Sequence, residues 1–186
     1  MNSVENIICK KNDIMLKKSK ENDNFSLNFN VTNNNIDIKK IININLFILL
    51  YELNKDIIEC AEVLSANDTN TNANIIYFFK QFGSELGMAR KYMNLNINMI
   101  TNNNNILFES NTRKNTSLDI SNNKGEEIIC NTSNLTVTHI TKHSANFEYI
   151  FNMDINEDLP IYMENLIGVL MKKLFLKIKE FIENFK

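Results

Sequence analysis

Residues 74–100, NIIYFFKQFGSELGMARKYMNLNINMI, give the clearest indication of the fold. Two apolar segments flank a polar centre, and that centre holds two of the chain's four glycines, Gly83 and Gly87. Glycine adopts backbone conformations that other residues avoid, so the centre predicts a tight connection between two adjacent strands. In the second strand apolar residues alternate with asparagines, which predicts an antiparallel sheet with one buried face and one wet face. Its apolar positions are Met93, Leu95, Ile97 and Met99.

Length and charge narrow the class of protein. A chain of 186 residues suits a single domain over residues 1–186 and is long enough to bury a core. The formal net charge of −2 argues against a nucleic-acid partner, because such proteins need a basic stripe that displaces counterions from phosphates. We expect a monomer.

The residues that bind metals or perform catalysis are few and badly spaced. The three cysteines stand far apart, which favours buried structural thiols in a reducing compartment. His139 and His143 have the spacing of a metal pair on a helix, but their segment, LTVTHITKH, alternates like a strand. The chain contains no GxSxG, P-loop or HExxH motif. We therefore expect no metal, no cofactor and no enzymatic activity.

The sequence predicts a cytoplasmic protein. Its first residues, MNSVENIICKKND, lack the long apolar core of a secretory signal. The longest apolar run, near LFILLYEL, is far shorter than the ~20 residues that span a bilayer. Four lysines of the last segment either make transient contact with an anionic membrane surface or form a solvated helix face. They are Lys172, Lys173, Lys177 and Lys179.

The rest of the chain reads as strands, short helices, more strands and a long final helix, an α+β pattern. Extended segments are predicted at residues 6–18, 24–32 and 36–44. Two short helices are predicted at residues 46–53 and 55–63, with Asn45 capping the first. Further strands are predicted at residues 75–80, 91–100, 105–110, 117–120, 126–131, 135–142 and 146–153.

The last segment predicts a long amphipathic helix. It starts near Pro160, an early helical position where the missing N–H of proline costs nothing. Apolar residues recur at helical spacing, so one broad stripe packs on the sheet. The stripe includes Met163, Ile167, Leu170, Met171, Leu174, Phe175, Ile178, Phe181 and Phe185. The functional question is whether helix and sheet close on each other or leave a space.

Three segments together resemble the START domain, the steroidogenic-acute-regulatory-related lipid transfer domain. The segment IDIKKIININLFILLYELNKDI resembles the family's strand that runs into a helix with a leucine pair and an acidic turn. The segment IIYFFKQFGSELGMARKYMNLNI resembles its Arg-Asp-aromatic signature, with Arg90 present and Lys91 in place of the aspartate. The segment NFEYIFNMDINEDLPIYMENLI resembles its last strand and proline-opened helix, with Asp154, Pro160 and Asn165.

The resemblance implies the helix-grip fold, in which a curved antiparallel β-sheet wraps around a long C-terminal α-helix, with two short helices after the early strands. It also implies lipid binding in an internal hydrophobic cavity and transfer of a phospholipid or sterol between membranes. Exposing a sixteen-carbon chain to water costs on the order of 12 kcal/mol, so a carrier needs an apolar chamber of ~300–1,000 Å³. An ordinary filled core has the same composition. The alternative is therefore a non-catalytic structural or interaction protein, such as a complex or virion subunit.

The ligand-binding residues that the resemblance implies lie on two strands and the final helix. Methionines suit such a wall because they adapt to ligands of varied shape. The strands supply Met93, Leu95, Ile97, Met99, Phe147, Tyr149 and Phe151, and the helix supplies Met163, Ile167, Leu170, Met171 and Leu174.

Arg90 stands where the second strand of the opening stretch begins, and its direction decides its role. An inward arginine needs an acidic partner, because an unpaired buried charge is very costly. Glu85 is the nearest candidate, and Glu148 on the last strand is another. Alternatively, Arg90 binds a lipid head group through its planar fork, or it is an exposed arginine at a strand end.

Overall fold

The computed structural model describes residues 5–67, 71–81, 84–113, 125–155 and 165–186, which form one large sheet with a helix packed on it. The helices are α1 (Asn45–Leu53) and α2 (Leu166–Asn184), and short 3₁₀ helices span Ile38–Lys40 and Ser84–Leu86. The strands are β1 (Glu5–Lys11), β2 (Ile14–Ser19), β3 (Phe25–Thr32), β4 (Ile58–Ala66), β5 (Asn72–Phe79), β6 (Lys91–Asn102), β7 (Asn105–Thr112), β8 (Glu126–Glu127), β9 (Ile129–Thr138) and β10 (Ser144–Asp154).

The strands pair in the order β1-β2-β3-β10-β9-β7-β6-β5-β4. All neighbours on this path are antiparallel. β8 lies off the path and pairs in parallel with the start of β6. Because β10 lies between β3 and β9, the last strand joins the early strands to the later ones.

Period-two alternation determines which face of the sheet is buried. In β3 the buried residues are Phe25, Leu27, Phe29 and Val31, and the residues between them are partly or fully exposed. Phe29 pairs in register with Phe147 of β10, and their rings stack with centroids 5.0 Å apart. On β3 and β10 the inner face of the sheet is thus apolar, as the period-two alternation predicted.

Helix α2 packs on this inner face and lies closest to β2, β3 and α1. Gly168 permits the close approach, since a Cβ there would stand 2.6 Å from two ring carbons of Phe25. The C-terminus of α2 is held by Asn33, whose Nδ2 donates to the carbonyls of Ile182 at 2.6 Å and Phe185 at 2.8 Å. Such terminal carbonyls lack partners within the helix, so Asn33 ties the end of α2 to the sheet.

The predicted pair of short helices is not confirmed. Residues 45–53 form α1, but strand β4 occupies most of the segment where the second helix was predicted. Pairing of β4 with β5 decides this, because ladder hydrogen bonds and packing override a weak helical preference. Asn45 is not the cap of α1 either. Its N–H donates to the side-chain oxygen of Asn43 at 2.8 Å, and the residue at the N-cap is Ile44, which makes no side-chain capping bond.

The first predicted extended segment, residues 6–18, is a hairpin of β1 and β2. The strands are joined at Asn12 and Asp13, which have φ angles of 55° and 56°. Two consecutive positive φ angles match the type I′ turn, whose twist suits a hairpin. Residues 36–44 are not extended, because they contain the 3₁₀ helix Ile38–Lys40, whose first N–H groups Asp37 caps.

The strands predicted at residues 75–80, 91–100, 105–110 and 146–153 are confirmed, with ends displaced by at most three residues. The strands predicted at residues 126–131 and 135–142 were divided at the wrong place: β8 covers only Glu126–Glu127, β9 runs from Ile129 to Thr138 through the predicted gap, and residues 139–142 lie beyond it. Gly83, the strand predicted at residues 117–120 and the helix start predicted at Pro160 all lie outside the described residues.

Candidate ligand-binding interior

The space between α2, α1 and the sheet contains a small apolar cavity of about 20 Å³. It lies beside β5 and β6, away from the strands that α2 approaches most closely. Its walls come from both helices and five strands. The lining residues are Phe47, Leu50, Ile58, Tyr77, Phe79, Met93, Leu95, Ser133, Tyr149, Met171, Leu174 and Phe175. We call this region the void side of the interior.

The polar groups of the void side are two tyrosine hydroxyls and one serine hydroxyl, and each is hydrogen-bonded. The hydroxyl of Tyr77 donates to the carbonyl of Phe47 at 2.8 Å. The hydroxyls of Tyr149 and Ser133 lie 3.0 Å apart. Burial raises the pKa of both tyrosines well above its usual range, so they stay protonated. The cavity wall, as far as the structure describes it, carries no charge.

The volume of the cavity decides what fits in it without rearrangement. A space of about 20 Å³ holds roughly one water molecule, whereas a lipid chamber measures ~300–1,000 Å³. This cavity by itself is therefore too small for a lipid chain. A lipid chain enters it only if side chains or α2 move.

The other half of the interior, which we call the ring-packed side, consists of Phe25, Phe29, Phe147 and Phe151. Phe25 stacks on Phe151 with centroids 5.4 Å apart, and Phe29 stacks on Phe147. Tyr149 joins the two halves, since its ring lies 4.7 Å from that of Phe151 and 4.8 Å from that of Phe175. A polar surface pocket of about 470 Å³ reaches Phe29 from outside, but none of the four rings lines the cavity of the void side.

The predicted ligand-binding residues divide between these places. Met93, Leu95, Tyr149, Met171 and Leu174 line the cavity. The others among them that the structure describes lie outside its wall: Phe147 and Phe151 on the ring-packed side, Ile97 and Ile167 buried in the core, Met99 and Leu170 half-buried. Met163 lies outside the described residues.

Seven lining residues were absent from the predicted set, for identifiable reasons. Ile58 belongs to a segment for which a helix was predicted, so its inward direction on a strand was not predicted. Tyr77 and Phe79 belong to an unbroken apolar run, in which composition does not distinguish the two faces. Their spacing of two residues is the signal that would have found them, once β5 was paired with β6. The remaining four are Phe47, Leu50, Ser133 and Phe175.

Arg90 does not meet either predicted partner. Its guanidinium pairs with the carboxylate of Glu59 on β4, at a place where both side chains are partly exposed. Glu85 is exposed on the 3₁₀ helix Ser84–Leu86, and Glu148 is exposed on β10. Glu59 comes within reach of Arg90 because its segment forms strand β4, where the sequence predicted a helix. The cavity wall does not include Arg90 or Glu85.

At the start of β6 it is Lys91, and not Arg90, that points inward. It stands two residues before Met93, and its side chain is 0% exposed. Its Nζ donates to Oε2 of Glu126 at 2.7 Å. The alternation of β6 indicates this direction, since Lys91 lies an even number of positions from Met93, Leu95 and Ile97, which face inward. The START resemblance pointed to Arg90 instead.

The lysines of α2 are mostly paired with protein groups. Lys177 and Lys173 both bridge Asp56, the latter at 3.2 Å. These hydrogen bonds, first from Lys177 and then from Lys173, lower the pKa of Asp56 to about 2. Lys179 is buried and donates to the carbonyl of Asn30 at 2.9 Å. The polar face of α2 is thus tied to the loop before β4 and to β3.

The fold is that of START domains. The lipid transfer and protein localization domain of human StarD13 superposes with a TM-score of 0.77 at 9% identity, over 98% of this chain and 91% of that one. Human StAR-related lipid transfer protein 5 gives 0.72 at 7% identity, over 100% and 89%. A fragment of the STAR-related lipid transfer protein from Xanthomonas axonopodis gives 0.68 at 8% identity, over 96% and 98%.

No family model matches the sequence, and no curated protein matches it. At these identities the structural likeness concerns the fold, and it confirms the predicted resemblance at that level. The helix-grip prediction is confirmed in its large antiparallel sheet and its C-terminal helix. Among the described residues, every helix is too short or too polar to cross a bilayer.

Proposed function

We propose that this chain is a non-enzymatic lipid-binding protein, which holds the apolar part of a lipid between α2 and the sheet. The observation that carries the proposal is the wall of the void side. Its described side chains are uncharged, and its three hydroxyls are satisfied by groups of the protein. An alkyl chain placed there displaces few water molecules and breaks no ion pair.

The driving force for binding is large enough to reorganise the interior. Each CH₂ moved out of water contributes about 0.8 kcal/mol, so a chain of ten to sixteen carbons offers roughly 8–13 kcal/mol. Met93 and Met171 face the void, and unbranched methionine changes shape at low cost. We propose that the lipid enters as these side chains turn and α2 moves away from β5 and β6.

The solved structures with this fold support the same class of ligand. Three of them are named as lipid transfer proteins or domains. Transfer of a lipid between membranes is the finer form of the proposal. It requires that the chain release its ligand to a second bilayer as well as bind it.

Native mass spectrometry of the purified protein tests binding. We expect an adduct of lipid mass, together with uptake of a fluorescent phospholipid from phosphatidylcholine vesicles. Transfer is then measured as movement of the same phospholipid to acceptor vesicles. Protein that carries no adduct and takes up no lipid would refute the proposal.

A pair of methionine variants locates the site. Met171→Ala enlarges the cavity on the void side, whereas Met99→Ala removes a half-buried methionine that lies outside the cavity wall. We expect Met171→Ala to change lipid uptake severalfold and Met99→Ala to leave it as in the parent chain. Equal effects of the two variants would place the lipid elsewhere.

The size of the cavity favours a second candidate, a START-fold protein whose core is permanently filled and whose surface binds a partner. The described cavity of about 20 Å³ is the specific observation. This candidate predicts a lipid-free mass and no uptake, even at saturating vesicle concentrations. The mass spectrum therefore distinguishes the two functions directly.

A further inference from the structure

Lys91 lies at the end of the void side, next to two residues of the cavity wall. It precedes Met93 by two residues on β6, so both side chains leave the same face of the strand. β5 and β6 are paired as far as Phe78 and Tyr92, and the next pair in this register is Phe79 and Lys91. Met93 and Phe79 both line the cavity. A fully buried ammonium thus borders an apolar space.

Glu126, the partner of this ammonium among the described residues, reaches water. Glu126 pairs in register with Lys91 across the parallel β6–β8 ladder, and its side chain is 47% exposed. Neighbours in register project from the same face of a sheet, so the carboxylate stands on the inner face and meets solvent there. Solvent therefore reaches the carboxylate of this ion pair, whereas the ammonium of Lys91 is closed off behind it.

We infer that the lipid of the proposed function is an anionic amphiphile whose carboxylate or phosphate binds Lys91 in place of Glu126. A buried ammonium needs an anion, because an uncompensated charge in a low-dielectric interior is very costly. The head group of such a lipid supplies that anion while its chain occupies the void side. Glu126 is already half-exposed, so its displaced carboxylate turns into water at little cost. A neutral head group offers no exchange of this kind.

Two other cations of the region are less suited to this role. Arg90 is paired with Glu59 at a partly exposed position outside the cavity wall. Lys179 is buried, but it serves the carbonyl of Asn30 and the carboxylate of Glu183 beside the C-terminus of α2. Lys91 alone of these three borders residues that line the cavity.

The test measures binding of three ligands that share one oleoyl chain: oleate, oleoyl lysophosphatidate and monooleoylglycerol. We expect at least one anionic ligand to bind about tenfold or more tightly than the neutral one, the factor that one charge-assisted hydrogen bond provides. The comparison of oleate with lysophosphatidate distinguishes a carboxylate site from a phosphate site. If all three bind alike, the head-group inference is wrong and the proposed function stands. If none binds, the proposed function itself fails.

Three variants assign the preference to Lys91. Lys91→Met keeps the length of the side chain and removes its charge, so we expect it to abolish the anionic preference and to preserve binding of monooleoylglycerol. Glu126→Gln removes the competing carboxylate and is expected to raise the affinity for the anionic ligand severalfold. Arg90→Gln is the control, and it should change neither. A Glu126→Gln variant that weakens the anionic ligand would overturn the exchange, even if Lys91→Met fails to fold.

Discussion

The ring-packed side of the interior is filled by stacked phenylalanines, whereas the void side combines phenylalanines with methionines, aliphatic residues and hydroxyl-bearing residues around a small cavity. Both sides lie under the same helix. They differ because Gly168 brings α2 close to β3, while the distance from α2 to β5 and β6 is bridged by α1 and by long side chains. One side therefore holds the helix in place, and the other offers the room for a ligand.

This division suggests how one core serves stability and binding together. Aromatic stacking adds specific contacts to a large burial of apolar area, so the ring-packed side resists change. Unbranched side chains next to a void lose fewer contacts when they move. Comparable substitutions on the ring-packed side and on the void side test this difference.

The largest effect is expected from truncation on the ring-packed side. Phe151 is fully buried and stacks with both Phe25 and Tyr149. Phe151→Ala should lower the free energy of unfolding by about 3–5 kcal/mol, as deletion of a buried ring does elsewhere. Urea unfolding followed by circular dichroism measures this change.

Met93→Ala is the matched change on the void side. Met93 already borders a cavity, so its truncation removes fewer contacts, and we expect a loss near 2 kcal/mol, the lower end for core methionines. Equal losses for Phe151→Ala and Met93→Ala would show that the two sides are equally well packed.

A smaller effect is expected where α2 approaches β3. Gly168→Val places methyl groups where even a Cβ would lie 2.6 Å from the Phe25 ring. We expect overpacking to cost about 1–3 kcal/mol, measured by the shift of the urea midpoint. Val169→Ala is the control, because Val169 is exposed on the same helix and should change stability by less than about 0.5 kcal/mol. A stabilising Gly168→Val would contradict the close contact.

The hydroxyl pair of the void side gives a more selective test. Tyr149→Phe and Ser133→Ala each leave one buried hydroxyl without its partner, which costs about 1–3 kcal/mol. The double variant should cost less than the sum of the two, because it leaves neither group unpaired. Urea unfolding of all four chains measures the coupling energy. Additive losses would mean that the hydroxyls do not depend on each other.

The smallest effect is expected from the surface link between α2 and the loop before β4. Asp56→Asn should lower stability at neutral pH by less than about 1 kcal/mol, because the ion pairs of Asp56 are half-exposed and screened. The folded-state pKa of Asp56 is lowered to about 2 from 3.8. Its contribution is therefore fully present above pH 3.8 and is lost as the pH falls through 2.

Unfolding of the parent chain and Asp56→Asn across this pH range provides the measurement. The stability difference between them should shrink toward acid pH and toward high salt. A difference that grows on acidification would mean that Asp56 is not held ionised by the two lysines.

Much of the sheet and the last helix was predictable, because apolar residues recur in each of these elements at the spacing typical of a strand or of a helix. The alternation in β6 predicted both the strand and its inner face, and the stripe at Ile167, Met171 and Leu174 predicted the buried side of α2. The segment of β4 lacks such a signal. Its residues fit a helix or a strand about equally, and only pairing with β5 separates the two.

The candidate site was predictable to a lesser degree. Five of the predicted residues line the cavity, but neither the partner of Arg90 nor the inward direction of Lys91 was predicted from the sequence. The ion pairs Arg90–Glu59 and Lys91–Glu126 join residues about thirty positions apart, and the sequence around each cation does not indicate its partner. Such pairs follow from the order of strands in the sheet.

Local patterns in the sequence are enough to predict an antiparallel sheet with an amphipathic C-terminal helix, and to predict which residues of β6 and α2 face inward. Those properties depend on residues two to four positions apart, which the backbone geometry places on one face. The space that remains between helix and sheet, and the charge next to it, follow from the tertiary structure alone. Volume and ion pairing depend on distances between elements that are remote in sequence, here set by Gly168 against Phe25 and by β8 against β6.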